Sequence, residues 1–491
     1  MQAKTLGELK KSGYQALSIK NELRKNLIHK LENKELIFEG VHGFEDTVIP
    51  DIERAILSRH NILLLGLRGQ AKTKIARLLI QLLDEYIPII EGAELNDDPL
   101  QPISRYGIDM IEQHGNKTPI SWLHRDYRYV EKLATPDVSV ADLIGDLDPI
   151  KAANMKLSYS DERVIHFGLV PRSHRSIFVI NELPDLQARI QVSLFNILQE
   201  GDLQIRGFKL RLPLDIQFLF TANPEDYTNR GSIITPLKDR IESQILTHYP
   251  KTIELAKQIT QQEAKINEAQ KSRVFVSELL QDLLERISFG ARESDLIDEK
   301  SGVSARLSIS GYENLVSTAE RRALIHQEKK TNARITDFWG VIPAITGKVE
   351  LVYEGEQEGP YGVAIKLLAA GVKEAFLELF PNPSKFKKGR EKDPYGTIKA
   401  WFVGGNTVNI QNDASDADYQ KALKSVAGLE KFVSSYKIDA KDKFLIMELV
   451  LHGLSEFNVI SKDMLDASYS FGDILANMWD DMSDLGEDYE N

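Results

Sequence analysis

The sequence predicts an α/β protein with a parallel β-sheet, and two patterns carry this prediction. Four apolar residues, Ile62–Leu65, run into a glycine turn, after which apolar side chains such as Ile75 and Leu79 recur at helical spacing. Residues 177–180 and 216–220 are further short apolar runs with the length and composition of buried strands. Helical patterns lie between these runs, so we expect the strands to be parallel.

Composition limits the class of protein. A length of 491 residues argues for two to four domains, and 42% hydrophobic with 27% charged residues is ordinary for a globular chain. The net charge of −12 opposes nucleic-acid or anionic-membrane binding as the main activity. The absence of cysteine excludes disulfides, thiolate catalysis and Cys-ligated metal sites. Without a signal-peptide pattern or an apolar run of spanning length, we expect a cytoplasmic protein with no membrane span.

The first 37 residues are expected to form an N-terminal helical segment. Ile19, Leu23 and Leu27 recur every four residues behind Ser18, which has the side chain of a helix cap. This segment is expected to dock on another surface and reveals no chemistry.

The turn after the first strand has the residues of a phosphate-binding loop. Glycine lets backbone N–H groups turn inward and the helix N-terminus adds positive potential, so such a loop can cradle an anion. Lys72 would neutralise the β- and γ-phosphates of ATP, and the Thr73 hydroxyl would bind Mg²⁺. Ala71 stands where the usual pattern has its second glycine; a chance Lys-Thr in a strand–helix turn is the alternative. The expected nucleotide-binding residues are Gly66, Gly69, Gln70, Ala71, Lys72 and Thr73.

Polar residues follow the other two apolar strands. Asn181 and Glu182 end the second, where Glu182 would polarise the attacking water and the Asn181 carbonyl oxygen would order a magnesium-bound water. Asn223 follows the third strand and would hydrogen-bond the water that attacks the γ-phosphate. The alternative is that each strand simply ends in polar residues.

Two arginines and a basic hairpin are further candidates. Arg240 lies in a polar break before another apolar run, and Arg306 lies in the first turn of a long helix, where a cation opposes the helix dipole. Residues 203–212 alternate around Gly207 as a β-hairpin. Three basic residues of that hairpin would contact nucleic acid or an acidic partner, unless they are a solvated edge: Arg206, Lys209 and Arg211.

The acidic tracts receive structural interpretations. Pro88 is expected to end the helix after the phosphate loop, and the carboxylates of residues 91–99 are expected to lie in a solvated loop. The aspartates of residues 135–150 are expected to cap helices and form turns rather than bind metal.

The second half of the chain is expected to be largely helical. Residues 251–380 are expected to form amphipathic helices, and residues 381–396, rich in Pro, Gly and Lys, are expected to form a linker. A C-terminal domain, 397–491, follows with a strand at 400–403, helices to about residue 475 and an acidic tail.

With these motifs in order, the chain resembles an AAA+ ATPase of the clade that holds the MoxR proteins and magnesium chelatase subunit I. The resemblance covers about residues 38–330. It implies a three-layer αβα core at 38–250, followed by a helical lid at 251–380 and the mixed C-terminal domain at 397–491. Residues 149–175 are placed like the helix 2 insert of the clade, and residues 203–212 like its pre-sensor 1 hairpin. Asn181 departs from the usual Walker B aspartate.

The resemblance also implies roles and partners. Glu182 is the Walker B glutamate, Asn223 sensor 1, Arg240 the arginine finger and Arg306 the sensor 2 arginine. The expected cofactors are ATP and Mg²⁺, and the expected assembly is a homo-oligomer, a hexameric ring with ATP between subunits. The implied partner carries a von Willebrand factor A domain.

Four functions are consistent with the sequence. The preferred one is an ATP-hydrolysing ring motor that remodels or activates a protein partner. The first alternative is the motor subunit of a metal chelatase that inserts a metal into a tetrapyrrole. A second is an ATP-gated scaffold with little hydrolysis, which Asn181 keeps open. A DNA-remodelling ring would rest on the basic hairpin, and nucleic acid is not the expected partner.

Overall fold

The computed structural model describes residues 3–158, 161–204, 211–224, 232–386, 393–465 and 468–474. The chain divides into two compact units, Met1–Tyr249 and Pro250–Asn491. The division lies at the predicted end of the nucleotide-binding core, while the finer domain boundaries stay predictions.

The first unit is built on a five-stranded parallel sheet. Its strands in chain order are β1 (Ile62–Leu65), β2 (Tyr129–Leu133), β3 (Ser176–Asn181), β4 (Ile216–Ala222) and β5 (Ser243–Leu246). Their order across the sheet is β5-β1-β4-β3-β2. Because all strands run the same way, their carboxyl ends share one edge, and β1, β4 and β3 are neighbours there.

Helices cover both faces of the sheet. Side chains alternate between the faces, so Ile62 and Leu64 pack into one hydrophobic cluster and Leu63 into the other. The first cluster includes helices Ile19–Glu32 and Val48–Leu57, and the second includes helix Ala188–Ser193. The predicted three-layer α/β fold is confirmed.

The remaining elements of this unit surround the sheet. Three antiparallel strand pairs are Tyr86–Ile90 with Ile120–His124, Gly145–Leu147 with Ile165–Phe167, and Asp202–Gln204 with Arg211–Pro213. Further α-helices are Leu6–Lys11, Lys72–Leu78, Arg105–His114, Val140–Leu143, Pro149–Met155, Leu169–Arg172, Phe195–Glu200 and Thr235–Lys238. Short 3₁₀ turns are Leu79–Leu82, Gly115–Lys117, Arg125–Arg128, Glu162–Val164 and Leu183–Asp185.

The amino edge of the sheet anchors the N-terminal segment. Ser18 caps helix Ile19–Glu32 as predicted, and Glu22 on that helix forms a buried two-bond ion pair with Arg128, just before β2, at 2.7 and 2.6 Å. The Ile19 N–H donates to Asp215, just before β4, at 2.7 Å. These contacts join the first residues of the chain to the starts of the strands.

The second unit is mostly helical and has one continuous hydrophobic core. Its α-helices are Ile253–Glu263, Glu268–Arg273, Glu278–Glu293, Arg306–Ile325, Ile342–Thr346, Tyr353–Leu379, Gly396–Val403, Asp416–Ser425, Leu429–Ser434 and Lys443–Glu456. Its 3₁₀ turns are Thr336–Gly340 and Pro383–Phe386. A parallel pair joins Val274–Phe275 and Thr331–Asn332, and an antiparallel sheet joins Val408–Gln411, Ser468–Gly472 and Ser461–Leu465.

Two predictions of secondary structure in the second unit are wrong. Residues 400–403 belong to a helix, because Ile398 and Phe402, four residues apart, are buried on one helical face. Helices do not continue to residue 475, since Ser461–Leu465 and Ser468–Gly472 are strands that pair antiparallel.

Two predictions in the first unit are also wrong. Pro88 does not end a helix: it lies within strand Tyr86–Ile90, whose sheet has only two strands. A proline is tolerated there because it need not donate to a second neighbour. Residues 91–99 are not simply solvated, because Asp97 and Asp98 are buried. Asp97 accepts from Ser104 N at 2.9 Å, and Asp98 pairs with Arg175 at 3.1 Å.

No helix in the described residues is long and apolar enough to cross a membrane.

Candidate nucleotide-binding site

The phosphate loop lies at the carboxyl end of the central strand β1. The Gly66 N–H donates to the Ala222 carbonyl oxygen of β4 at 3.1 Å, which fixes the start of the loop. Gly69 and Ala71 both have a left-handed backbone, with φ of 74° and 55°. An alanine there costs about 1–2 kcal/mol relative to the right-handed conformation, so the loop keeps its turned shape at some expense of stability.

Gly66 is crowded by two side chains of the same unit. The Thr247 hydroxyl, just beyond β5, lies within hydrogen-bond distance of Gln70 Oε1 at 2.7 Å and of the Leu65 carbonyl oxygen at 3.1 Å. A Cβ at position 66 would collide with Thr247 and with Gln70. Glycine is therefore required at this position by close approach, and Gln70 and Thr247 brace the loop.

Lys72 opens helix Lys72–Leu78 and is buried at 7% exposure. Its ammonium group donates to the carbonyl oxygens of Gly66 and Leu67, the latter at 3.0 Å, and to Asn223 Oδ1 at 3.1 Å. Asn223 follows β4, so this last bond joins the phosphate loop to a residue 151 positions along the chain. Two residues predicted to serve one site are thereby brought into contact.

A second chain of hydrogen bonds crosses the ends of β3 and β4. The Thr221 hydroxyl donates to Asn181 Oδ1 at 3.1 Å, and the Glu182 N–H donates to Thr221 Oγ1 at 3.2 Å. Thr221 therefore holds both the side chain of Asn181 and the backbone of Glu182. Sequence reasoning missed Thr221, which has the pattern of one more residue in a buried strand.

Glu182 has a left-handed backbone, with φ of 54° and ψ of 52°. A non-glycine residue in this region costs about 1–3 kcal/mol and persists where surrounding contacts hold it. The hydrogen bond to Thr221 is one such contact. A held, strained carboxylate at a strand end is a frequent feature of functional sites.

Glu131, on β2, also belongs to this cluster. Its carboxylate accepts from Asn181 Nδ2 at 2.6 Å, and Arg77, one turn after Thr73 on the loop helix, binds it at 3.0 and 3.3 Å. Glu131 raises the pKa of Arg77 through this pair. No sequence motif marked Glu131; only the neighbouring position of β2 and β3 reveals it.

The two predicted arginines, Arg240 and Arg306, belong to different units of the chain. Arg240, three residues before β5, donates to Gln199 Oε1 at 3.1 Å and to the Pro236 carbonyl oxygen at 2.7 Å, and its guanidinium lies 5.1 Å from the centre of the Phe195 ring. Arg306 is the first residue of helix Arg306–Ile325 and is exposed. It belongs to the second unit, whereas Lys72 belongs to the first.

The basic hairpin and the acidic tract complete the predicted candidates. Strands Asp202–Gln204 and Arg211–Pro213 pair antiparallel as expected, while Arg206 and Lys209 lie outside the described residues. Asp142 forms a capping box with Ser139, and Asp148 caps helix Pro149–Met155. In the part of the chain that the structure describes, no group of three or more His, Asp or Glu residues is arranged to hold a metal ion.

The predicted motifs lie on neighbouring strands of the sheet. The loop follows β1, Asn181 ends β3 and Asn223 follows β4, and these three strands are neighbours. The first unit is a three-layer α/β unit with a parallel sheet. At its carboxyl edge, a buried ammonium group, backbone N–H groups and two amide side chains converge, an arrangement suited to binding and orienting a polyphosphate.

Comparisons with known proteins give distant similarities. No family model matches the chain. A Cytophaga hutchinsonii protein proposed to be an ATPase is 17% identical, with 74% of this chain and 97% of that chain covered and a TM-score of 0.30. The complex of magnesium chelatase subunits BchI and BchD gives 18% identity, 66% and 98% coverage and a TM-score of 0.33. Hsp104 with ATPγS and casein is 13% identical, with 63% of this chain and 50% of that chain covered and a TM-score of 0.38. The α/β fold of the first unit is therefore established by its own strand order and not by these similarities.

Proposed function

We propose that this protein is an ATP-hydrolysing AAA+ ring motor, similar to the MoxR group, that remodels or activates a protein partner. The observation that carries the proposal is the buried hydrogen bond between Lys72 and Asn223 at 3.1 Å. It joins the phosphate loop to the end of β4, beside the linked Asn181, Thr221 and Glu182. A site that only bound phosphate would need the loop but not the ordered polar residues of the neighbouring strands.

The residues of this edge fit a nucleotide and its metal ion. The left-handed turns at Gly69 and Ala71 suit a loop whose N–H groups face a phosphate. Lys72 would bind the β- and γ-phosphates, and Thr73, the second residue of the helix, would offer its hydroxyl to Mg²⁺. When bound, Mg²⁺ would neutralise charge on the phosphates.

The chain's own residues divide the remaining work. Glu182 would accept a proton from the attacking water, and Asn223 would orient that water or the γ-phosphate. Asn181 would order a magnesium-bound water, although its Oδ1 already accepts from Thr221. An amide carbonyl oxygen has two lone pairs, so one remains for such a water.

The ring assembly is supported by the position of Arg240. This residue precedes β5, whose first residue pairs with Ile62 at the start of β1, so Arg240 lies toward the amino edge and the phosphate loop at the carboxyl edge. An arginine finger placed away from its own site would serve the site of a neighbouring subunit, which couples hydrolysis to assembly. The resemblance gives Arg306, the first residue of helix Arg306–Ile325, the role of sensor 2.

The partner is proposed from the resemblance alone. Motors of this clade work with proteins that carry a von Willebrand factor A domain, and we propose such a partner here. The metal-chelatase motor remains an alternative, because its porphyrin and metal chemistry would lie on other subunits. The ATP-gated scaffold also remains an alternative, because an amide at position 181 in place of a carboxylate weakens the magnesium shell.

Phosphate release by wild type and Glu182→Gln tests the motor. We expect wild type to hydrolyse ATP in the presence of Mg²⁺ and Glu182→Gln to be at least roughly 100-fold slower, because the general base is lost. Glu94→Gln is a matched control, since Glu94 forms an exposed pair with Lys151 at 3.3 Å. Equal, near-zero rates for wild type and Glu182→Gln would support the scaffold instead.

The same variant tests the partner. Glu182→Gln with ATP is expected to hold a client in a trapped state, so affinity purification should recover a von Willebrand factor A protein with ATP and lose it with ADP. Recovery of a porphyrin-binding subunit would support the chelatase alternative.

A further inference from the structure

Position 181 carries an amide where the resemblance leads one to expect aspartate, and a carboxylate lies directly beside it. Asn181 Nδ2 donates to Glu131 Oε1 at 2.6 Å. Position 181 is 8% exposed and the Glu131 side chain 22%, so this bond is largely shielded from water. The carboxylate absent from β3 is therefore present on the adjacent strand β2.

The contact determines how the amide is oriented. An ionised carboxylate only accepts hydrogen bonds, so the NH₂ group of Asn181 must face Glu131. The carbonyl oxygen then faces the Thr221 hydroxyl, which donates to it at 3.1 Å. Thr221 Oγ1 in turn accepts from the Glu182 N–H at 3.2 Å. The direction of each hydrogen bond from Asn181 to Glu182 therefore follows from the charge of Glu131.

Other groups hold Glu131 in place. Arg77, on the loop helix, binds both carboxylate oxygens at 3.0 and 3.3 Å, and the Tyr129 hydroxyl donates to Oε2 at 3.3 Å. Arg77 compensates the charge of Glu131, which stabilises a carboxylate in a partly buried place. The same pair ties β2 to the helix that begins with Lys72 and Thr73.

We propose that Glu131 is a positioning residue of the ATP site, and that Glu131 and Asn181 form an exchanged carboxylate–amide pair that orients Thr221 and Glu182. This inference rests on the proposed function, because the site it serves is the ATPase site. It explains the departure at position 181: an aspartate there would place a second carboxylate against Glu131, and like charges at this distance repel.

The exchanged pair predicts that introducing aspartate at position 181 lowers the rate of ATP hydrolysis. If Asn181 were simply a weakened Walker B residue, Asn181→Asp would raise the rate of hydrolysis. In the exchanged pair, Asn181→Asp breaks the hydrogen bond and brings two carboxylates together, so we expect kcat to fall by roughly tenfold or more, the order of one lost charged hydrogen bond. KM for ATP should stay within roughly threefold, because Lys72 and the loop are unchanged.

The test is a double-mutant cycle of Glu131→Gln, Asn181→Asp and the variant that carries both changes. In the double variant the new amide at position 131 can donate to the new carboxylate at position 181, so the pair is restored with its roles reversed. We expect the double variant to recover at least roughly half of the logarithmic loss in kcat seen for Asn181→Asp. The midpoint temperature of unfolding, measured without nucleotide, should likewise be lower for Asn181→Asp than for wild type and should rise again in the double variant. Glu94→Gln is the control and should match wild type in both measurements.

The outcomes separate the inference from the proposed function. The exchanged pair would be overturned if Asn181→Asp had a kcat equal to or above that of wild type. It would also be overturned if the kcat of the double variant were no higher than the value predicted by multiplying the two single effects. Recovery in unfolding temperature without recovery in kcat would show a structural contact and also overturn the positioning role. A wild type that hydrolyses no ATP would instead overturn the proposed function itself, with the role of Glu131 in it.

Discussion

The two edges of the central sheet both carry buried polar side chains, but they use them differently. At the amino edge, opposite charges meet directly: Glu22 with Arg128 at 2.6 Å, and Asp98 with Arg175 at 3.1 Å. At the carboxyl edge, Lys72 bonds an amide oxygen and Asn181 bonds a threonine hydroxyl. Left-handed residues occur at both edges, with Arg175 at the amino edge and Ala71 and Glu182 at the carboxyl edge, so backbone conformation does not distinguish them.

This difference separates anchoring from function. The amino edge fastens the N-terminal helix to the strands through strong, closed ion pairs, which is what a permanent contact requires. The carboxyl edge holds amides and hydroxyls in fixed orientations, and such groups can exchange hydrogen bonds with a ligand. Changes at the amino edge should therefore act on stability, and changes that reach the carboxyl edge should act on hydrolysis.

Arg240→Ala should have the largest effect on the ATPase rate and is the strongest test of the difference between the two edges. Arg240 lies toward the amino edge, yet we expect its loss to lower the ATPase rate by roughly three to five powers of ten, because it would stabilise transition-state charge in a neighbour's site. ATP binding and the unfolding temperature should stay near wild type. Steady-state phosphate release measures the ATPase rate, and binding of a fluorescent ATP analogue measures the affinity for ATP.

Mixing subunits provides the control for Arg240. Arg240→Ala and Glu182→Gln are each inactive alone in our proposal, but a mixed ring contains sites with Glu182 from one subunit and Arg240 from the next. Activity should therefore appear on mixing. No recovery, in rings shown by mass to contain both variants, would mean that the arginine does not act between subunits.

Glu22→Gln should have the next largest effect. It leaves the fully buried Arg128 without its charged partner, and breaking a buried pair costs about 3–5 kcal/mol in the free energy of unfolding. Urea denaturation measures the loss. Glu35→Gln is the matched control, because its pair with Lys30 is half-exposed and worth about 1 kcal/mol or less. Equal losses for both variants would show that the amino edge does not anchor the segment.

His174 gives the amino edge a dependence on pH. Burial, and next the nearby Arg175 charge, lower the pKa of His174 to about 3, and its Nδ1 accepts from the Asp215 N–H at 3.0 Å. The unfolded chain binds a proton below its ordinary pKa of about 6.5 while the folded chain does not, so stability is lost as the pH falls from 6.5 towards 3. Between pH 7 and 5 the wild type should lose about 2 kcal/mol more than His174→Gln in urea unfolding. Equal losses would contradict this.

Ala71→Gly should have the smallest effect. Glycine relieves the left-handed backbone, which favours folding by about 1 kcal/mol, while the lost methyl contact and the freer unfolded chain oppose folding by a similar amount. We expect the free energy of unfolding to change by less than about 1 kcal/mol and ATP affinity to stay within roughly threefold. Ala71→Val is the contrast, since a β-branched residue is strongly disfavoured at positive φ and should weaken ATP binding.

Much of the fold was predictable from local patterns. The buried strands at 62–65, 177–180 and 216–220 are continuous apolar runs, which is typical of strands covered on both faces. Helix Ile19–Glu32 combined its cap with a four-residue period. The predictions at Pro88 and at 400–403 were wrong because a segment this short contains too few residues for its hydrophobic periodicity to distinguish a strand from a helix. The secondary structure of such a segment is determined by its packing.

The sequence by itself determined which chemistry is present at the site: the glycine turn, Lys72, Glu182 and Asn223 each follow an apolar strand in the chain, and local order is what a motif records. Only the tertiary structure decided which of these side chains touch, and that Glu131 stands beside Asn181. The physical reason is that parallel strands become neighbours through crossovers, so residues 50 to 151 positions apart meet at one edge without any sequence period that links them.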